Sequence, residues 1–67
     1  MLTIQLNGET RETPSGTSVA NLLEASGYAD RKVAVEINRE IVPKSLHGER
    51  VLREGDRVEI VHALGGG

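Results

Sequence analysis

Three successive glycines, Gly65, Gly66 and Gly67, close the sequence after Ala63 and Leu64. A run without Cβ atoms threads a narrow channel and lies flat against another protein's backbone in conformations that other residues do not reach. Extended, Ala63 to Gly67 spans on the order of 17 Å, enough to carry a terminal carboxylate into a partner's active site while a folded body stays outside. Such a carboxylate, ionised at neutral pH with a reference pKa of about 3.5, is a poor electrophile until activated. Attack of its oxygen on the α-phosphorus of ATP makes an acyl-adenylate with AMP as leaving group, and a sulfur donor then converts the acyl group to a thiocarboxylate. At glycine that acyl carbon is unhindered and has no adjacent stereocentre to racemise. The bland alternatives are an expression remnant or a frayed end.

Little else in the sequence assembles a reactive centre. There is no cysteine, the two histidines His47 and His62 stand far apart, and no glycine-rich phosphate loop joins a strand to a helix. A metal site needs several converging ligands, so both histidines are expected at the surface, with no metal bound and no catalytic residue in the chain. The carboxylates fall at turns and on polar faces, where a solvated charge is the ordinary reading. With 8 basic and 10 acidic residues the formal net charge is -2, and Tyr28 is the single aromatic residue. This leaves neither an electrostatic footprint for nucleic acid or an anionic membrane nor a platform for stacking bases. Met1 to Leu6 has no basic leader, and no apolar run approaches the roughly 20 residues of a membrane span. Absence of cysteine suits a reducing compartment, and a cytoplasmic protein is expected.

The elements that must carry the tail are legible from periodicity. With 67 residues, of which 37% are hydrophobic and 27% charged, one small domain with an aliphatic core is expected. Leu2, Ile4 and Leu6 alternate with polar neighbours as a strand, Asn7-Gly8 supplies a tight hairpin turn, and Glu9 to Thr13 returns as a polar partner. After Pro14-Ser15-Gly16, Thr17 or Ser18 caps a helix of two to three turns carrying Val19, Leu22 and Leu23, with Gly27 as its stop. Val33, Val35 and Ile37 mark a second clear strand, Asn38-Arg39 turns into a short Ile41-Val42 segment, and Pro43 ends it. Ser45 to Arg50 reads as a turn or short helical piece. Val51 and Leu52 read as core anchors before the Glu54-Gly55-Asp56 turn and a last strand from Arg57 to His62. The order β-β-α-β-β-β predicts an α+β fold, a mixed sheet of four to five strands covered by one main helix. First and last strands side by side and parallel would make it a β-grasp, or ubiquitin-like, domain. Residues 1–62 are assigned to the domain and 63–67 to a flexible tail.

Four stretches together resemble the ThiS family of bacterial sulfur carriers: the Leu2-to-Gly8 strand and turn, the Thr17-to-Leu23 helix start, "VAVEINREIVP" from Val33 to Pro43, and the closing "LREGDRVEIVHALGGG". No single motif decides the matter; their order, the chain length and the placement of the glycines carry the resemblance across essentially the whole sequence. It implies a β-grasp carrier of thiamine biosynthesis that is not itself an enzyme. By that resemblance Gly67 is the residue adenylated and converted to a thiocarboxylate, and Leu64, Gly65 and Gly66 are the tail read by partner enzymes. The implied partners are an E1-like adenylating enzyme of the ThiF type that uses ATP and Mg, a sulfur donor protein, and a thiazole synthase of the ThiG type. The carrier itself is expected to bind no cofactor and to be a monomer when free. The family ends in a diglycine, and here Gly65 makes a third glycine. If one glycine were extraneous, Gly66 would be the reactive position. Rival readings are a carrier for molybdopterin or cysteine synthesis, a ubiquitin-like protein modifier, and an RNA-binding module of the TGS type. The charge and the glycine ending argue against the last.

Overall fold

The computed structural model describes residues 1–29 and 31–62. Its elements are β1 (Leu2–Leu6), β2 (Glu9–Thr13), α1 (Val19–Ala25), β3 (Val33–Ile37), β4 (Glu40–Val42), a single 3₁₀ turn (Lys44–Leu46) and β5 (Arg57–His62). The five strands form one sheet in the order β2-β1-β5-β3-β4. β5 lies between β1, with which it runs parallel, and β3, with which it runs antiparallel. The pairing that periodicity left open is therefore the β-grasp pairing, and the last strand sits at the centre of the sheet.

Helix α1 starts where its side-chain chemistry says it must. Ser18 Oγ accepts the Asn21 N–H at 3.1 Å while Asn21 Oδ1 accepts the Ser18 N–H at 3.4 Å, a reciprocal capping box. It stops at a Schellman motif: the Tyr28 N–H reaches the Leu23 carbonyl at 2.7 Å and the Gly27 N–H the Glu24 carbonyl at 3.2 Å. That motif needs a left-handed residue, supplied by Gly27 with φ 84°. Val19, Leu22 and Leu23 face the sheet, where they meet Ile4 and Leu6 of β1, Val35 and Ile37 of β3, Leu52, and Val58 and Ile60 of β5. All nine residues expected in the core from their spacing, Leu6, Val19, Leu22, Leu23, Val35, Ile37, Leu52, Val58 and Ile60, are buried, and Ile4 joins them.

Three expectations are corrected. Val51 is 45% exposed rather than a core anchor. The chain there is extended, bridging Ser18, with the Leu52 N–H on the Thr17 carbonyl at 2.9 Å. Successive side chains of extended backbone point opposite ways, so only one of the pair Val51 and Leu52 can face inward. His47, expected at the surface, is buried. Its carbonyl accepts the Ala20 N–H at 2.9 Å and its ring Nε2 donates to the Val42 carbonyl at 3.0 Å, so it ties helix, 3₁₀ turn and β4 together. Asp56, expected to be solvated like the other carboxylates, is also buried, for reasons that belong to the support of β5.

Candidate functional site

The expected site residues Leu64, Gly65, Gly66 and Gly67, with Ala63, lie outside the described residues. What the structure places is the strand that presents them and the surface around its end.

β5 is held by side-chain amides at both ends. At its start, Asn38 Oδ1 accepts the Arg57 N–H at 3.0 Å, and Asn38 Nδ2 donates to Asp56 Oδ1 at 3.0 Å. Asp56 Oδ2 in turn accepts the Arg53 N–H at 2.8 Å and pairs with Arg50 Nη2 at 3.3 Å. A buried carboxylate with this many donors is a compensated charge, which is why Asp56 tolerates burial. Towards the exit, β1 turns away at Asn7, and the Ile60 N–H would face an abandoned edge. Asn7 Oδ1 accepts it at 2.7 Å, while the Asn7 N–H bonds the Val58 carbonyl at 2.9 Å. Asn7 and Asn38 both have positive φ in their hairpin turns; asparagine tolerates that region and carries an amide to spend. Each residue thus makes a turn and clamps the tail-bearing strand.

At the exit, His62 is exposed and pairs with Val33 of β3. The Schellman motif sets Tyr28 beside it, with ring centroids 5.9 Å apart and tilted by 56°. Next to this point a half-open groove of about 780 Å³ runs between α1 and the start of β3, with Leu23 and Val33 along its floor and Arg31, Lys32 and Lys44 on its rim. The sheet face turned away from the helix carries Ala34 opposite Val61, the latter 51% exposed, and Glu36 opposite Glu59. An apolar step thus lies near the end of β5, with charges further along the same face. Among the described residues no group of three or more His, Cys, Asp or Glu side chains could hold a metal ion, and no helix is long and apolar enough to cross a membrane. The His47 ring is spent on the Val42 carbonyl, and the His62 ring stands against that of Tyr28. The supporting residues Asn7, Asn38 and Asp56 read from the sequence only as turn residues; a turn asparagine is an ordinary turn signal until its strand neighbours are known.

A mixed sheet in which the first and last strands lie side by side and parallel, with one helix across its face, defines a ubiquitin-like β-grasp domain. Residues 4–67 match the ThiS family, and the chain belongs to it. It is 38% identical over 65 residues to the sulfur carrier protein ThiS of Bacillus subtilis, covering 96% of this chain and 98% of that one. It is 45% identical over 64 residues to a thiazole synthase of Magnetococcus marinus, covering 96% of this chain and 20% of the relative, so the chain spans about a fifth of that protein's length. The crystal structure of a thiamine biosynthesis protein (ThiS) from Geobacter metallireducens superimposes with a TM-score of 0.85 at 28% identity, covering 98% of this chain and all of that one.

Proposed function

We propose that this domain carries sulfur for the thiazole ring of thiamine on the carboxylate of Gly67. The observation that carries the reading is that the ThiS family match runs through to Gly67; the named sulfur carrier of matching length and the named thiazole synthase among its relatives support the pathway. An E1-like enzyme adenylates the carboxylate: a carboxylate oxygen bonds to the α-phosphorus of Mg-bound ATP and pyrophosphate leaves. A hydrosulfide equivalent from a sulfur donor protein then attacks the acyl carbon, AMP departs with the former carboxylate oxygen, and the S–H proton is lost to solvent, leaving a thiocarboxylate. Thiazole synthase receives that sulfur. The chain itself supplies no catalytic group and acts as a cytoplasmic monomer. Its body docks while Leu64, Gly65 and Gly66 guide the terminus, so that positioning contributes to the rate.

The test is incubation of the chain with its adenylating enzyme, Mg-ATP and sulfide, followed by intact-mass measurement. The expected result is the mass increment of exchanging one oxygen for sulfur in the full-length chain, lost when Gly66 and Gly67 are both deleted from a chain that still folds. Deleting Gly67 alone withdraws the carboxylate by roughly 3.5 Å but leaves a diglycine able to slide into register, which is why the double deletion is decisive. Sulfur acquired by the doubly truncated chain, or never acquired by the full-length one, rejects the reading.

A further inference from the structure

Two hairpin turns in this molecule share a geometry and differ in sequence. Leu6 pairs with Glu9 across Asn7-Gly8, and Ile37 pairs with Glu40 across Asn38-Arg39. All four turn residues have positive φ, 50° at Asn7, 84° at Gly8, 52° at Asn38 and 70° at Arg39. Glycine is the residue that this second position favours, because a Cβ there crowds the following carbonyl. Gly8 conforms and Arg39 does not. Backbone strain of this kind persists where the surrounding structure enforces it, and it collects at sites of use. Nothing in the fold uses the Arg39 side chain: it is exposed and makes no hydrogen bond or ion pair among the described residues.

Its neighbour is Arg57, whose carbonyl accepts the Asn38 N–H at 2.8 Å. Arg39 and Arg57, with Gln5, Asn38 and Gly55, border an open basin of about 310 Å³ at the start of β5. Arg50 nearby is paired with Asp56, whereas neither Arg39 nor Arg57 has a carboxylate partner among the described residues. Two arginines without a carboxylate partner thus border one basin, and a guanidinium matches the planar geometry of a carboxylate.

We propose that this basin receives a carboxylate side chain of thiazole synthase and so fixes the carrier's body at the end of the sheet opposite the tail exit. The inference rests on the sulfur-carrier reading. Charge complementarity sets the occupant's chemistry, and the relative that contains this domain within a much longer thiazole synthase chain favours that enzyme over the adenylating one. β5 separates Arg57 from His62 by about 17 Å at the usual rise per residue. A synthase that holds both the tail and the basin therefore grips two points, and the line between them sets the direction in which the tail enters.

Arg39→Gly separates this role from a structural one, because it relieves the turn while removing the charge. The expected result is an unfolding midpoint raised by about 2–5 °C together with binding to the synthase weakened about 3-fold. Arg57→Gln is expected to weaken binding similarly, the double variant about tenfold, and the salt dependence of binding to become shallower, as exposed interfacial charges require. Binding to the adenylating enzyme serves as the control and is expected to stay within about 2-fold. Unchanged synthase binding in the double variant overturns the inference and leaves the carrier reading intact. So does a lowered unfolding midpoint for Arg39→Gly, or a loss confined to the adenylating enzyme. Failure of the unaltered chain to bind either enzyme overturns both.

Discussion

Asp56 accepts hydrogen bonds from Arg53, Asn38 and Arg50 inside the fold, whereas Ser26 Oγ, buried at the end of α1, has no partner among the described residues. Replacement by alanine should therefore have opposite consequences at the two positions. Asp56→Ala removes the charged acceptor shared by Asn38, Arg53 and Arg50 and is expected to cost about 1.5–3 kcal/mol, the usual worth of hydrogen bonds to a charged group. Ser26→Ala removes a hydroxyl that lost its water on folding, and it is expected to leave stability unchanged or raise it by up to about 1 kcal/mol. Urea unfolding of both variants against the parent protein checks the contrast. Its place in a turn assigned Asp56 to the solvated carboxylates; what distinguishes this one is the convergence of three donors, Arg50 and Arg53 from the stretch just before it and Asn38 from the turn between β3 and β4.

Among the elements, β5 depends most on residues that do not belong to it. Asn7 closes the hairpin between β1 and β2 and also satisfies the Ile60 N–H after β1 has turned away. Asn7→Gly keeps the turn's conformation and removes only the clamp, so its expected cost is about 1–2 kcal/mol. Amide exchange gives the sharper check: the Ile60 N–H should lose protection while that of Val35, deep in β3, keeps most of its own. An equal loss at both positions would mean that the variant loosens the whole sheet rather than one strand end. Helix α1 contrasts with β5, because its cap, its apolar stripe and its stop lie within its own neighbourhood of the sequence, from Ser18 to Tyr28.

At the scale of the whole molecule, ten aliphatic side chains make the buried core among the described residues, with the one aromatic, Tyr28, half-buried against it. A core this small leaves a stability margin of only about 3–5 kcal/mol. Leu22→Ala, at a position 4% exposed on the helix face, is expected to remove about 2–5 kcal/mol. A substantial unfolded fraction at 25 °C should follow, seen as a shallow or missing folded baseline in thermal denaturation. The same economy bears on the carrier role proposed above: the body is large enough to hold β5 at the centre of a sheet and offer a partner one face, while the chemistry is left to the terminus.

The amino-acid sequence by itself determined every element whose evidence is local. Alternation placed β1, β3 and the last strand, and helical spacing with a serine cap placed α1. Turn asparagines and glycines placed the hairpins, and the run of terminal glycines, with the family resemblance, pointed to Gly67. Tertiary structure alone decided that β1 and β5, separated by most of the chain, lie side by side and parallel. It alone turned Val51 outward, buried His47 and Asp56, and brought Arg39 beside Arg57. The physical reason is the range of the interactions: dihedral preference, capping and side-chain period act over a few residues and leave a mark in sequence order. Strand pairing, the satisfaction of buried polar groups and the meeting of distant charges depend on which segments pack together, and packing is settled only when the whole chain has closed around its core.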